Sequence, residues 1–168
     1  MRPLLIKFVL PLTFALVPVL VGALIVATLP PRGRDFFVSH VSPLDYVILG
    51  LGTSLFLVQV ALAFRALQWK GRAFNERPDP WLNRLSQSSE WFPLLGLIGT
   101  VGGILQTFSG ITGSTSPQQV IQSYAPAITA TGSGLFMAFL NILPSWIVLV
   151  GRGLILGLGD SASEGGAP

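Results

Sequence analysis

The sequence predicts an all-α integral membrane protein with four transmembrane helices, and three observations carry that expectation. Charged residues make up 10% of the 168 and hydrophobic residues 51%, with a mean hydropathy of +0.68; an average soluble domain is roughly 25% charged. Seven acids and ten bases cannot wet the surface of a soluble domain of this length. Four apolar runs each reach the ~20 residues that a hydrocarbon core of ~30 Å requires. The lysines and arginines, finally, fall beside those runs in an alternating pattern. The basic pI of about 10.0 therefore speaks for membrane topology and not for nucleic acid. With no cysteine and a single histidine, His40, the chain has no disulfide, thiolate chemistry or Cys- or His-rich metal site, and no metal or cofactor is expected.

The first helix is expected over about 4–29, from Leu4 to Leu29. A cleaved signal peptide is the rival reading, but the apolar core of a signal is only about 7–15 residues long. Pro11 and Pro18 kink this helix at little cost where neighbouring helices satisfy the freed carbonyls. Pro30-Pro31 opens a loop to Ser42, and Ser42-Pro43-Leu44-Asp45 reads as a capped helix start. The second helix follows over about 44–65, and the polar stretch of about 65–90 carries Trp69 and Trp81 as interface anchors. The third helix is expected over about 91–111. A Gly/Ser/Thr loop from Gly110 to Gln119 ends in a second capped start at Ser116. The fourth helix occupies about 125–158, which closes a single membrane domain over 1–158. Residues 159–168 are too polar and glycine-rich to fold alone and are expected as a flexible tail.

Orientation follows from the bases. Arg2, Lys7, Arg65, Lys70, Arg72, Arg77, Arg84 and Arg152 lie on one side, against Arg32 and Arg34 on the other. Both termini and the 65–90 loop are expected in the cytoplasm, where the loop also meets anionic headgroups.

The last two helices differ from the first two. Gly96, Thr100, Gly103, Thr107 and Gly110 recur at alternating spacings of four and three, as do Ala127, Thr131, Gly134, Ala138, Asn141 and Ser145. Each set forms one stripe of small and hydroxyl residues on a helix face. Such stripes are more often packing surfaces than the lining of a polar path, and membrane threonines commonly bond their own i−4 carbonyl. Asn141 argues for more than packing, because an amide is costly against lipid. Asp35, His40 and Asp45 are expected at the outer interface, where they need no function. No Asp, Glu, Lys, Arg or His lies mid-membrane in the second to fourth helices. If the chain moves protons, the titratable group comes from another polypeptide.

The segment Pro93-Leu94-Leu95-Gly96-Leu97-Ile98-Gly99-Thr100-Val101-Gly102-Gly103-Ile104 resembles the "LGLxGTVxGI" segment of the MotA/TolQ/ExbB proton-channel family. Thr131-Gly132-Ser133-Gly134-Leu135-Phe136, with Ala125-Pro126 before it and Pro144 after it, is similar to that family's next pore helix. The likeness covers about Glu90 to Pro144. Pro93, seven before Thr100, and Pro144, thirteen after Thr131, suit the flagellar-stator branch as structural prolines of the pore helices. TolQ and ExbB relatives carry a Glu near the start of the last helix, where the Thr131 register places Pro126. The cytoplasmic loop is also much shorter than in flagellar stators.

The resemblance implies a non-enzymatic, channel-forming subunit of an ion-driven motor in a bacterial inner membrane. It implies a homopentamer around two single-span partners of the MotB/TolR/ExbD kind, whose membrane Asp carries the ion. Thr100 and Thr131 are then expected beside that Asp, with Thr107, Gly103, Gly134 and Asn141 along the same pathway. The alternative is a non-conducting membrane scaffold whose stripes are packing faces. A small-solute carrier is disfavoured, since no inverted repeat or broken helix pair is evident.

Overall fold

An apolar run inside a membrane folds as a helix because hydrocarbon offers its backbone no other hydrogen-bond partner. A computed structural model describes residues 9–68, 74–110 and 116–164, and among these there are six helices. They are α1 (Leu10–Thr28), α2 (Pro31–Ser39), α3 (Pro43–Ala66), α4 (Asp79–Ser88), α5 (Trp91–Gly110) and α6 (Pro117–Glu164). Four spans among the described residues are long and apolar enough to cross a membrane: Pro11–Thr28, Pro43–Ala66, Asp79–Gly110 and Gln118–Leu154.

Both expected capped starts are present. Ser42 Oγ accepts from Asp45 N–H at 3.2 Å while Asp45 Oδ2 accepts from Ser42 N–H at 2.8 Å, a complete capping box at the head of α3. Ser116 and Gln119 exchange the same pair of bonds at the head of α6. The first helix keeps Pro18 in its interior.

Helix α6 is the hub. Half of its spanning window is buried, against 28% or less in the other three, and it packs most extensively on α5, then α3, then α1. Ile48, Phe56, Phe92, Met137, Ala138 and Leu140 form the central core. At the end of the bundle that bears α4, Ala63, Ala66, Leu67, Leu82 and Val148 form a second cluster. Leu20 and Leu24 of α1, Leu97 and Val101 of α5, and Leu135 and Leu149 of α6 point outward, as lipid or a neighbouring chain requires.

Two stretches expected as loops contain helices. In α2 the Pro30 carbonyl accepts from Gly33 at 2.9 Å and Arg34 at 3.1 Å, so the proline pair starts a helix where it was expected to open a loop. In α4 Leu82 is buried against α3 and α6, while Trp81 stays 60% exposed, suiting an interface anchor. Helix α6 begins eight residues before Ala125, because its cap lies at Ser116, and it continues through Glu164 past the expected tail boundary. At 1.5 Å per residue its 48 residues extend about 72 Å, more than twice the hydrocarbon thickness. The expected start of the first helix at Leu4, the bases Arg2, Lys7, Lys70 and Arg72, Trp69, residues 111–115 and residues 165–168 lie outside the described residues.

Arg152 ties the α4 end together. Its guanidinium makes a bidentate pair with Asp79 at 2.7 and 2.8 Å, and donates to the carbonyls of Ala66 and Asn75, both at 3.1 Å. It also lies over the Phe74 ring, 5.4 Å from the centroid.

Candidate functional site in the α5–α6 seam

Glycines decide how closely α5 approaches α6. A Cβ on Gly96 would sit 3.0 Å from the Ala130 carbonyl oxygen and 3.2 Å from Thr131 Cα. A Cβ on Gly103 would sit 2.8 Å from Ala127 Cβ, and one on Gly134 would meet the Phe92 carbonyl and lie 3.0 Å from Gly96 Cα. Backbone meets backbone at all three positions, which only glycine permits. The two small-residue stripes therefore face each other within one chain, and packing is part of their role.

That close approach brings the hydroxyls of Thr100 and Thr131 into direct contact. Each threonine also bonds its own i−4 carbonyl, Thr100 to Gly96 at 3.0 Å and Thr131 to Ala127 at 3.1 Å. Thr100 Oγ1 further lies 3.4 Å from the Ala127 carbonyl. With two protons for these contacts, one hydroxyl donates to the other by a bond that it shares with its carbonyl, and the pair lies at a half-buried edge of the seam. Such a pair can turn a hydroxyl proton toward a carboxylate, or coordinate a bare cation through its oxygens.

Toward the loop between α5 and α6, the stripe continues through Thr107. Its hydroxyl donates to Gly103 and Ser123 carbonyls, each at 2.9 Å. A cavity of about 370 Å³ opens beyond it, lined by uncharged polar groups including Gln106, Gln119, Gln122 and Ser123. At the opposite end, a cavity of about 530 Å³ is lined by Glu76, Asp79, Asn83, Ser145 and Arg152. Pro93 stands in the first turn of α5, and Pro144 is fully buried within α6.

Asn141 does not join the Thr100–Thr131 edge. It is fully buried, accepts from Gln59 Nε2 at 2.9 Å, and donates to the carbonyls of Gly52 at 3.2 Å and Met137 at 2.8 Å. The amide expected on the pathway is thus turned toward α3. The stripe spacing held it within about 80° of Thr131, and that offset is enough to reach a different neighbour.

Asp45, expected at the outer interface with no part beyond the capped start of its helix, is completely buried. Its carboxylate reaches α6, where Thr129 and Ser133 donate to it at 3.0 and 2.5 Å. The signal lay in the four-residue spacing of Thr129 and Ser133, which gives α6 a second polar face. Gln59, buried as Asn141's partner, was missed because a lone glutamine in an apolar run carries no periodic signal.

Residues 58–152 match the family model described as the MotA/TolQ/ExbB proton channel family. No curated protein and no solved structure matches the chain.

Proposed function

Because this multi-pass chain belongs to the MotA/TolQ/ExbB proton channel family, a family of channels and not of enzymes, we propose that it is the channel-forming subunit of an ion-driven motor. The motor sits in a bacterial inner membrane, with both termini and the α4 end of the bundle in the cytoplasm. Five copies surround two single-span subunits of the MotB/TolR/ExbD type, and the partner's membrane Asp carries the ion. The observation that carries this reading is the Thr100–Thr131 hydroxyl pair. It stands within the matched residues, on the half-exposed edge of a seam that glycines close.

Thr100 and Thr131 offer hydroxyl protons to the partner's carboxylate, or oxygens to its ion, where few other polar groups are at hand. The membrane potential supplies about 2.3 kcal/mol per charge per 100 mV. Protonation releases the carboxyl group from the hydroxyls and lets the partner turn to the next copy. The outer approach runs along the uncharged cavity at Gln106, Thr107 and Ser123. Gly103 and Gly134 hold the seam at the spacing the pair needs.

The test is to isolate the complex from native membranes, identify a single-span subunit with a membrane Asp, and measure proton and Na⁺ flux in liposomes. Flux that requires that Asp, and falls at least tenfold in Thr131→Val, is the expected result. Complexes that lack such a partner and pass neither ion would leave the scaffold reading in its place.

A further inference from the structure

The Asp45 carboxylate does more than cap a helix. A capping box needs only Ser42 and Asp45. Here the same group accepts from Ser42 N–H at 2.8 Å, Ser42 Oγ at 2.7 Å, Thr129 Oγ1 at 3.0 Å and Ser133 Oγ at 2.5 Å, and it is fully buried. No base answers it: the one ion pair among the described residues is Arg152–Asp79, at the far end of α3. A buried acid with no counter-ion, met only by hydroxyls and one amide, is costly to keep for packing alone.

Its position relative to the pore pair is specific. Thr129 and Ser133 bracket Thr131 in sequence, and residues two apart on a helix point about 200° away from each other. Asp45 therefore stands behind α6 at the height of Thr131, while Thr100 stands in front. A helix is about 10–12 Å across with its side chains, so the carboxylate lies on the order of 10 Å from the two threonine oxygens. Protein fills that path, with Ala130 and Ser133 buried to 1% exposure.

We propose that Asp45 is a fixed negative charge behind the pore wall, which favours a cation at the Thr100–Thr131 oxygens. The proposal rests on the pore reading given above and adds a source of cation preference within this chain. At about 10 Å and an effective dielectric near 20, one unit charge changes the occupancy of a cation by on the order of tenfold. Salt does not screen it, because the path between the two sites is protein.

The chain has no cysteine, so Thr131→Cys places a single thiol at the proposed site. The field that favours a cation there disfavours a thiolate. In the full complex in liposomes, the rate of methanethiosulfonate modification is followed against pH, with and without Asp45→Asn. Asp45→Asn is expected to lower the thiol pKa by about one unit, raising the neutral-pH rate roughly tenfold. Ser133→Ala, which cuts one contact to α6 but keeps the charge, is expected to leave the pKa in place. A reactive thiol whose pKa ignores Asp45→Asn overturns the fixed charge and leaves the pore reading standing. An equal shift in both variants makes Asp45 a structural pin and also overturns it. A thiol unreactive at every pH, in a complex that still assembles, removes the pore reading and this proposal together. If Asp45→Asn does not assemble, the double variant Asp45→Ser with Ser133→Asp replaces it. That swap moves the charge by one contact and is expected to keep the thiol pKa of the parent, whereas a pKa lowered as by charge removal sinks the proposal.

Discussion

Valine copies the shape and β-branching of threonine and lacks only the hydroxyl, so Thr131→Val separates chemistry from packing. The structure sharpens the contrast with Gly134→Val, whose side chain would drive into the Phe92 carbonyl across the seam. Thr131→Val and Thr100→Val are expected to leave complex yield within about twofold, because interhelical hydrogen bonds in membranes average only about 0.6 kcal/mol. Ion flux is expected to fall at least tenfold in either. Gly134→Val is expected to lose the complex itself. Normal flux in both threonine variants would reduce the stripes to packing faces. Asn141 offers a second test at this scale. Asn141→Leu strands the buried Gln59 amide and is expected to cost about 1–2 kcal/mol, whereas adding Gln59→Leu recovers most of it. Thermal unfolding in detergent reads both, and a double variant as weak as the single would refute the pairing. The threonines were legible in the sequence because period fixes a face. What period cannot fix is which neighbour a face meets, and so Asn141 and Asp45 needed coordinates.

At the scale of elements, the sequence announces what hydropathy and caps encode. The four apolar runs and the starts at Ser42 and Ser116 belong to that class, since a Ser three residues before Asp or Gln has one simple use. Helices α2 and α4 are short, proline-led and charged, and their helicity depends on the partners they meet. For α4 that partner is Arg152, a residue otherwise read only as a topology signal. Arg152→Lys keeps the charge but loses the planar fork that reaches Asp79, Ala66 and Asn75 at once. Charge-assisted hydrogen bonds contribute about 1.5–3 kcal/mol. Amide exchange across Asp79–Ser88 is therefore expected to accelerate at least tenfold in Arg152→Lys, with the apolar spans unchanged. Equal protection in the variant would show that Leu82 alone holds α4 against the bundle.

For the whole molecule, the question is whether one chain contains a route for an ion. Two polar files run along α6, one on each side. The first holds Thr107, Thr100 and Thr131, and beyond Thr131 the seam closes where Gly134 meets Phe92 and Gly96. The second holds Asp45, Thr129 and Ser133 at one level and Gln59 with Asn141 at another. Between those levels Met137 packs onto Gly52 beside Ile48, so apolar side chains interrupt the file for about two turns of helix. The carboxylate of Asp45 is held by four donors and has no polar neighbour to hand a proton on to below Ser133. Neither file is continuous, and each stops at a glycine contact that leaves no room for water. The chain reconstituted alone is therefore expected to be ion-tight, with proton leak in liposomes no greater than that of empty vesicles under the same potential. On the proposed function, a single-span partner with a membrane Asp brings a mobile carboxyl group to the first file, and flux is expected to appear only when it is added. Proton flux through the chain alone, abolished by Asp45→Asn, would place the carrier in this chain and overturn the borrowed-carboxylate mechanism.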